Sequence, residues 1–183
     1  MSNQVISVDR YEYSPTEPVT LAQAKNQLTI DFTDDDTKIT SLITQCRRAI
    51  ENFCHISIVR QQITAYLFFD SENELPYGPV TDIIEVSVSS GATGSGPVAY
   101  ETATDSWNFD GGGFKTFQTF TGLRYRLIYW AGYMTVPEDL KLAILTEIAY
   151  RYENRGDTFE QKTQGICEAA RILALPYKRY LWF

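Results

Sequence analysis

The chain has 183 residues, is 44% hydrophobic and 14% aromatic, and sets 23 acids against 16 bases for a formal charge of −7. That is enough apolar content for one sizeable core with a smaller satellite, and no run of about 20 apolar residues is present to span a bilayer. The acidic balance argues against a surface built to grip nucleic acid, which needs clustered lysine and arginine; it suits ordinary solubility, and equally a surface past which a polyanion slides.

The opening MSNQVISVDRYEYS lacks the basic and apolar segments of a signal peptide, so synthesis and retention in a cytoplasm are expected. Residues to Pro18 read as an extended arm. Thr20 and Gln23 then offer a capping box for a short helix through Leu28. Next comes DFTDDDTKITSL, with acids ahead of a periodic segment. Ile39, Leu42, Ile43, Cys46, Ile50 and Phe53 keep helical spacing while Lys38, Arg47, Arg48 and Glu51 fall mostly elsewhere, which predicts an amphipathic helix over 35–54. Asp31, Thr33 and Asp35 invite a calcium loop, but Asp36 stands where glycine is needed and Leu42 where a bidentate glutamate is needed. The acids are better explained by the positive end of the helix dipole.

The single histidine, His55, follows Cys54 at the end of this helix. Neighbouring residues on a helix point different ways, so a C-cap histidine whose charge complements the dipole is preferred to a Cys/His nucleophile pair. Cys46 and Cys54 lie on one predicted helix, about 12 Å apart at ~1.5 Å rise per residue, too far for a disulfide. Cys167 is left over. Three scattered cysteines and one histidine lack the paired spacing of a zinc site, and neither a metal nor any other cofactor is expected.

From residue 58 the texture changes to strands. Ile63, Ala65, Leu67 and Phe69 alternate with Gln62, Thr64, Tyr66 and Phe68, and Val80 to Val88 gives another strand after a turn at Tyr77-Gly78-Pro79. Gly91, Gly94 and Gly96 are spaced wrongly for a dinucleotide loop, so Ser89 to Pro97 is a hairpin connection. Trp107 to Phe120, with Gly111-Gly112-Gly113 inside, reads as another hairpin. Tyr125 to Trp130 is an unbroken apolar run with one arginine, the pattern of a strand covered on both faces.

Gly132 and Pro137 end that strand, and Pro137, Glu138 and Asp139 suit a helix start. The helix should run to about Asn154, with Arg155 near its negative end and Gly156 as a left-handed cap. Leu140, Ala143, Ile144 and Ile148 form one apolar stripe, expected to pack on Ile39, Leu42, Ile43, Ile50 and Phe53. Leu142, Leu145, Ala149 and Tyr152 form a second, either more core or a face for a neighbouring copy. A helix over 165–175 carries Ile166, Ala169, Ala170, Ile172 and Leu173, and Pro176 stops it. The end, Tyr177, Lys178, Arg179, Tyr180, Leu181, Trp182 and Phe183, is too aromatic for a free tail. It folds onto its own core or docks on a partner, with Tyr180, Trp182 and Phe183 as anchors.

Ala131-Gly132-Tyr133, Pro137, Leu140-Lys141, Ala143 and Tyr152-Glu153-Asn154-Arg155 resemble the closing motif of the phage head–tail connector (gp6-like adaptor) family. Leu21, Ala24, Lys25, Leu28, then Asp34 to Asp36, Ile39, Leu42, Ile43, Ala49 and Glu51 are similar to its opening, and Leu75-Pro76-Tyr77-Gly78-Pro79-Val80 to its central turn. With the helical pattern this gives an α+β fold in a single domain: an antiparallel helical core from 19–56 and 134–176, an inserted antiparallel β region over 57–133, and a docking tail over 177–183. The resemblance implies a structural, non-catalytic subunit in the neck of a virion. It implies a homo-oligomeric ring, a dodecamer, below the portal protein, with a stopper or tail-completion protein beneath and DNA passing through without sequence-specific binding. Leu142, Leu145, Tyr152, Glu153 and Arg155 are then the subunit boundary, and residues 177–183 the docking tail.

Two rivals stand beside that reading. A monomeric β-type binding module would use Trp107, Phe114 and Phe117 as an exposed aromatic platform. A carboxylate hydrolase would bury an acid away from the helix ends with a perturbed pKa, though no motif here selects a pair.

Overall fold

The computed structural model describes residues 4–12, 16–68, 72–73, 75–89, 100–102, 107–109, 114–116, 124–154 and 165–179. In chain order its elements are β1 (Gln4–Tyr11), α1 (Leu21–Leu28), α2 (Asp36–Cys54), β2 (Gln61–Phe68), β3 (Glu72–Asn73), β4 (Val80–Ser89), β5 (Tyr100–Thr102), β6 (Trp107–Phe109), β7 (Phe114–Thr116), β8 (Arg124–Ala131), α3 (Glu138–Glu153) and α4 (Glu168–Ala174), followed by a 3-10 turn over Leu175–Tyr177. The α+β class holds, with the antiparallel β region inserted between α2 and α3. The contacts divide into a helical unit, Thr16–Val59 with Met134–Arg179, and a sheet unit that takes in 60–133 and the N-terminal strand.

In the helical unit α1 begins on the expected capping box. Gln23 N donates to Thr20 Oγ1 at 3.2 Å and Thr20 N to Gln23 Oε1 at 2.9 Å, so two otherwise unpaired N–H groups are satisfied together. The acids before α2 do more than face its dipole. Lys25 Nζ donates to Asp36 Oδ1 at 2.7 Å and to the Phe32 carbonyl at 2.6 Å, which ties α1 to the start of α2.

The α2 stripe packs on α3 as predicted. Ile39, Leu42, Ile43, Cys46, Ile50 and Cys54 are buried, as are Leu140, Ala143, Ile144 and Ile148. Phe53 is half-buried instead, and the Lys178 ammonium lies 4.4 Å from its ring centroid.

Arg47 and Glu51, read from the sequence as polar-face residues, are fully buried. Arg47 Nε donates to Glu17 Oε2 at 2.8 Å, Nη2 to Glu17 Oε1 at 3.2 Å, and Nη1 to Glu51 Oε2 at 3.0 Å. The other Glu51 oxygen accepts the Ile58 N–H at 2.7 Å and the Val59 N–H at 3.4 Å. One guanidinium thus holds the segment before α1, α2 itself, and, through Glu51, the segment after α2. Its planar fork is what makes two carboxylates bindable at once.

The last helix is shorter than predicted. Gly165 takes φ +83, and Cys167 is the N-cap, its Sγ accepting the Ala170 N–H at 3.5 Å. Pro176 does not end the helical path but sits inside the 3-10 turn, where its missing N–H is tolerated. Ile166, Ala170 and Ala174 are buried, while Ala169 and Ile172 are exposed instead of joining the core.

In the sheet unit the strand order is β1-β2-β8-β4-β5, with every neighbouring pair antiparallel. The arm expected before Pro18 contains an edge strand, paired with β2 from Gln4↔Phe68 to Tyr11↔Gln62. At the centre, β8 alternates strictly. Tyr125, Leu127, Tyr129 and Ala131 are buried, opposite Leu67, Ala65, Ile63 and Gln61 of β2, while Arg124, Arg126, Ile128 and Trp130 are half-exposed. The strand is therefore sealed on one face, not on both; Arg126 and Trp130 supply the polar and amphipathic groups that let the other face meet water. There Arg126 Nη2 donates to Glu85 Oε1 at 2.6 Å, and the Arg60 guanidinium stacks 4.4 Å from the Trp130 ring.

The turn at Tyr77 is present, with φ +54 at that residue, and the Tyr129 hydroxyl donates to the Pro76 carbonyl at 2.5 Å. A second sheet, β3-β7-β6, contains the expected hairpin, Phe109 pairing with Phe114. Gly111–Gly113 and the Ser90–Pro97 tip lie outside the described residues.

These assignments give a stability test by urea unfolding. Ile144→Ala should cost about 2–5 kcal/mol, as buried large-to-small changes do, and Arg47→Ala about 3–5 kcal/mol, because Glu51 would stay buried without its counter-charge. Ile172→Ala, on the exposed face of α4, should fall within about 0.5 kcal/mol of the parent.

Candidate assembly surface

Among the described residues the buried acids are Glu147, in the middle of α3, and Glu51, in the last turn of α2; a buried acid away from the helix ends is the arrangement a carboxylate enzyme would need. Both are held in structural bonds. Glu51 is committed to Arg47 and two backbone N–H groups, as above. Glu147 Oε1 accepts Arg151 Nε at 2.6 Å, and Oε2 accepts the Cys167 N–H at 2.7 Å, while Arg151 Nη2 donates to the Gly165 carbonyl at 3.0 Å. This knot fixes the start of α4 to the middle of α3.

The thiols are free, and burial pushes Cys46 up to about 12 and Cys54 up to about 11, with Cys167 also raised. None is in the depressed range that makes a nucleophile. Among the described residues no three His, Cys, Asp or Glu side chains form a group that could hold a metal. His55 is the C-cap of α2, as expected, in the left-handed region at φ +54. Its charge is not what suits it to the place: burial and the nearby Lys178 ammonium hold its pKa below the ordinary 6.5.

The outward side of α3 is a different kind of surface. Leu142 is 45% and Tyr150 37% exposed, Leu145 and Ala149 are half-buried between them, and Glu153 is exposed at the C-terminal end. At 3.6 residues per turn, positions 142, 145, 146, 149, 150 and 153 share one face. Tyr152, expected on this stripe, turns to its edge, where its hydroxyl donates to Asp35 Oδ2 and the Lys38 ammonium lies 5.4 Å from its ring centroid. Tyr150 takes the outward place; helical spacing sets Tyr150 and Tyr152 about equally far to either side of Leu142, and the bond to Asp35 is what separates them. Arg155 lies outside the described residues.

A second outward apolar stripe was missed in the sequence. Ile172 is 62% and Leu175 47% exposed on α4 and the turn that follows it. Nothing in the apolar pattern distinguishes them from the buried Ala170 and Ala174.

The first part of the tail lies on its own helical unit. The Tyr177 hydroxyl donates to Asp139 Oδ2 at 3.4 Å, Lys178 covers Phe53, and the Arg179 N–H donates to the Cys54 carbonyl at 2.9 Å. Tyr180, Leu181, Trp182 and Phe183 are outside the described residues, as are Phe117 and the side chains of Trp107 and Phe114.

The profile of a family described as phage gp6-like head-tail connector protein matches residues 18–170, from the entry to α1 to the middle of α4. The chain belongs to that family. The connector is thus a structural subunit of the neck of a phage-like particle. Its fold is similar to a chain from the neck of an empty gene transfer agent particle computed with C6 symmetry, at 16% identity, 96% coverage of both chains and a TM-score of 0.71. It is also similar to a chain of the native gene transfer agent virion, at 16% identity, 96% coverage of both and a TM-score of 0.69. A third, from the neck of the native particle computed with C12 symmetry, gives 17% identity, 96% coverage of both and a TM-score of 0.66. No curated protein matches the connector.

The surroundings of His55 generate a pH test. Its folded-state pKa is lowered, so the unfolded chain binds the proton more readily, and stability is full above about 6.5 and lost as pH falls through the folded value. Thermal melts of the connector should therefore drop below that pH. His55→Asn, which tolerates the left-handed cap, should flatten that part of the profile.

Proposed function

We propose that the connector assembles as a closed ring of twelve copies in the neck, below the portal protein, where it extends the DNA channel and offers a platform to a stopper or tail-completion protein. The observation that carries this reading is the match to the connector family across residues 18–170. A chain of similar fold comes from a neck described with C12 symmetry, which supports the ring and its number. The role in this reading is structural: the buried carboxylates Glu51 and Glu147 are taken up in bonds to arginines and backbone N–H groups. The formal charge of −7 suits a wall past which DNA moves without sticking.

Side-by-side assembly in a ring is heterologous, each copy presenting two different patches. The outward α3 stripe supplies one of them: Leu142 and Leu145 as the apolar centre, with Glu153 and, from the sequence motif, Arg155 at the boundary. Tyr152 supports that face by holding the C-terminal end of α3 to Asp35. Residues 177–179 anchor the tail to its own helical unit. Tyr180, Leu181, Trp182 and Phe183 then reach the portal or a neighbouring subunit, with Lys178 and Arg179 meeting acidic groups at its rim.

Mass measurement by light scattering, with the connector alone and then with a portal protein, tests the ring. Leu142→Asp should abolish assembly and leave the melting temperature within a few degrees of the parent, because the residue is nearly half exposed. A connector that stays monomeric with portal present, or forms a stable two-fold dimer through α3, overturns the proposal. Deleting residues 180–183 should keep the melting temperature and lose binding to portal-bearing particles; a much lower melting temperature would mean that the tail belongs to the fold.

A further inference from the structure

Cys46 and Cys167 are far apart in sequence but lie at one level of the helical unit. α3 runs back along α2: Tyr152, near the end of α3, bonds Asp35 at the start of α2, while Asp139, at the start of α3, bonds Tyr177, next to the Lys178 that covers Phe53 at the end of α2. Glu147 is about 8 Å back along α3 from Tyr152, and its Oε2 holds the Cys167 N–H at 2.7 Å. This sets the start of α4 beside the middle of α2. The far end of α4 is registered directly, for the Cys54 thiol donates to the Ala174 carbonyl at 3.4 Å. Cys46 lies about 12 Å back along α2 from Cys54, and Cys167 about 10 Å back along α4 from Ala174. Two helices that pack on each other therefore run in the same direction, with Cys46 and Cys167 at matching heights.

The charges around the two sulfurs agree with that placement. Burial pushes Cys46 up to about 12; Arg151 opposes the rise, and Glu147 and Cys167 add to it. Burial also raises Cys167, with Glu147 again adding to the rise. Glu147 is thus a neighbour of both. Both thiols are free, Cys46 is buried and Cys167 only half-buried, so a reagent from outside meets Cys167 first.

We propose that Cys46 and Cys167 are a thiol pair that closes to a disulfide when the connector meets an oxidising medium, strapping the middle of α2 to the start of α4. The oxidant is a low-molecular-weight disulfide. The Cys167 thiolate attacks one of its sulfurs, forming a mixed disulfide and expelling one small thiolate, which takes up a proton. The Cys46 thiolate then attacks the Cys167 sulfur and expels the second. Two protein thiols give up two electrons and two protons, and the small disulfide becomes two thiols. A reducing thiol pool keeps the pair open, and the raised pKa values make closure slow. The closed loop takes in the whole inserted β region, and a cross-link over a long loop restricts the unfolded chain most. It also adds a covalent tie to a helix of seven residues whose start is otherwise fixed by Glu147. The strap is independent of the ring.

Oxidation of the full-length connector tests the pair. The protein is incubated with oxidised glutathione at about pH 8.5, where more thiolate is present, then quenched with acid and weighed intact. The parent should lose about 2 Da for the two hydrogens removed, keep monomer mass on a non-reducing gel, and yield a digest fragment that joins the Cys46 and Cys167 peptides. Its urea midpoint should rise by about 1 M and return on reduction. Cys46→Ser should stop at the mixed disulfide, with one glutathione on Cys167, and Cys167→Ser should resist both steps. Cys46→Ala takes the place of the first variant should serine not fold in that buried position. A parent that stops at the glutathione adduct, pairs Cys167 with Cys54 or links only between chains overturns the proposal, as does one left fully reduced by reagent that oxidises the urea-unfolded chain. A Cys46–Cys167 bond that lowers the urea midpoint overturns it too, since the sulfurs would then not be at matching heights in the fold.

Discussion

The helical unit depends on the burial of one guanidinium. Arg47 is fully excluded from water, and a lone cation there would cost many kcal/mol, so the chain must deliver carboxylates to it. Glu51 comes from the next turn of α2, but Glu17 comes from thirty residues back, and the Thr44 hydroxyl donates at 2.8 Å to Glu17 Oε1, the oxygen that also accepts Arg47 Nη2. The arrangement therefore dictates where the chain enters α1. Because the second Glu51 oxygen holds the Ile58 and Val59 N–H groups, it dictates where the chain leaves α2 as well. Replacing such a cluster by apolar groups can match or exceed its stability. What it supplies is position: three segments that carry no regular backbone pairing with each other share one rigid junction.

A second junction repeats the logic at the other end of the chain. Glu147, also buried, is neutralised by Arg151 and capped by the Cys167 N–H, and Arg151 continues to the Gly165 carbonyl. A helix of seven residues has little stability of its own. Its start is instead fixed to α3 through an acid whose remaining lone pairs need a donor. Placement of Ile172 and Leu175 on the outside follows, since anchoring Cys167 and burying Ala170 and Ala174 determine which side of so short a helix is left facing away.

Where a residue's role is set by its near neighbours in sequence, it could be read in advance. Thr20 and Gln23 cap α1 because the box is a local device, the α2 and α3 stripes follow a 3.6 period, and β2 and β8 follow a period of two. The same reading failed where a distant partner decides. Arg47 and Glu51 look like surface residues until Glu17 is brought to them, and Tyr152 and Tyr150 are equally aromatic until Asp35 claims one. In β1, QVISVDRY shows an imperfect alternation that only pairing with β2 turns into a strand. On the outward side of α3, the partial exposure of Leu142 and Leu145 was legible because a single core helix rarely carries two apolar stripes. Ile172 was not, because a seven-residue helix shows too few turns to separate an inward from an outward apolar position.

The division of labour between these parts bears on when assembly occurs. The buried charges of the helical unit find their partners inside the chain: Arg47 with Glu17 and Glu51, Arg151 with Glu147. The monomer thus does not need a neighbour to neutralise its interior, and it can fold before it meets one. Among the described residues, α3, α4 and the turn after it leave outside a handful of partly exposed apolar side chains, Leu142, Tyr150, Ile172 and Leu175, a small patch by the standard of obligate oligomers. One such contact is weak, because association must first offset lost translational and rotational freedom. A ring adds a contact with every subunit and one more on closure, and subunits already held on a common platform meet at a high effective concentration. In the proposed ring, contacts that are individually weak thereby favour assembly where subunits share a platform and disfavour it elsewhere.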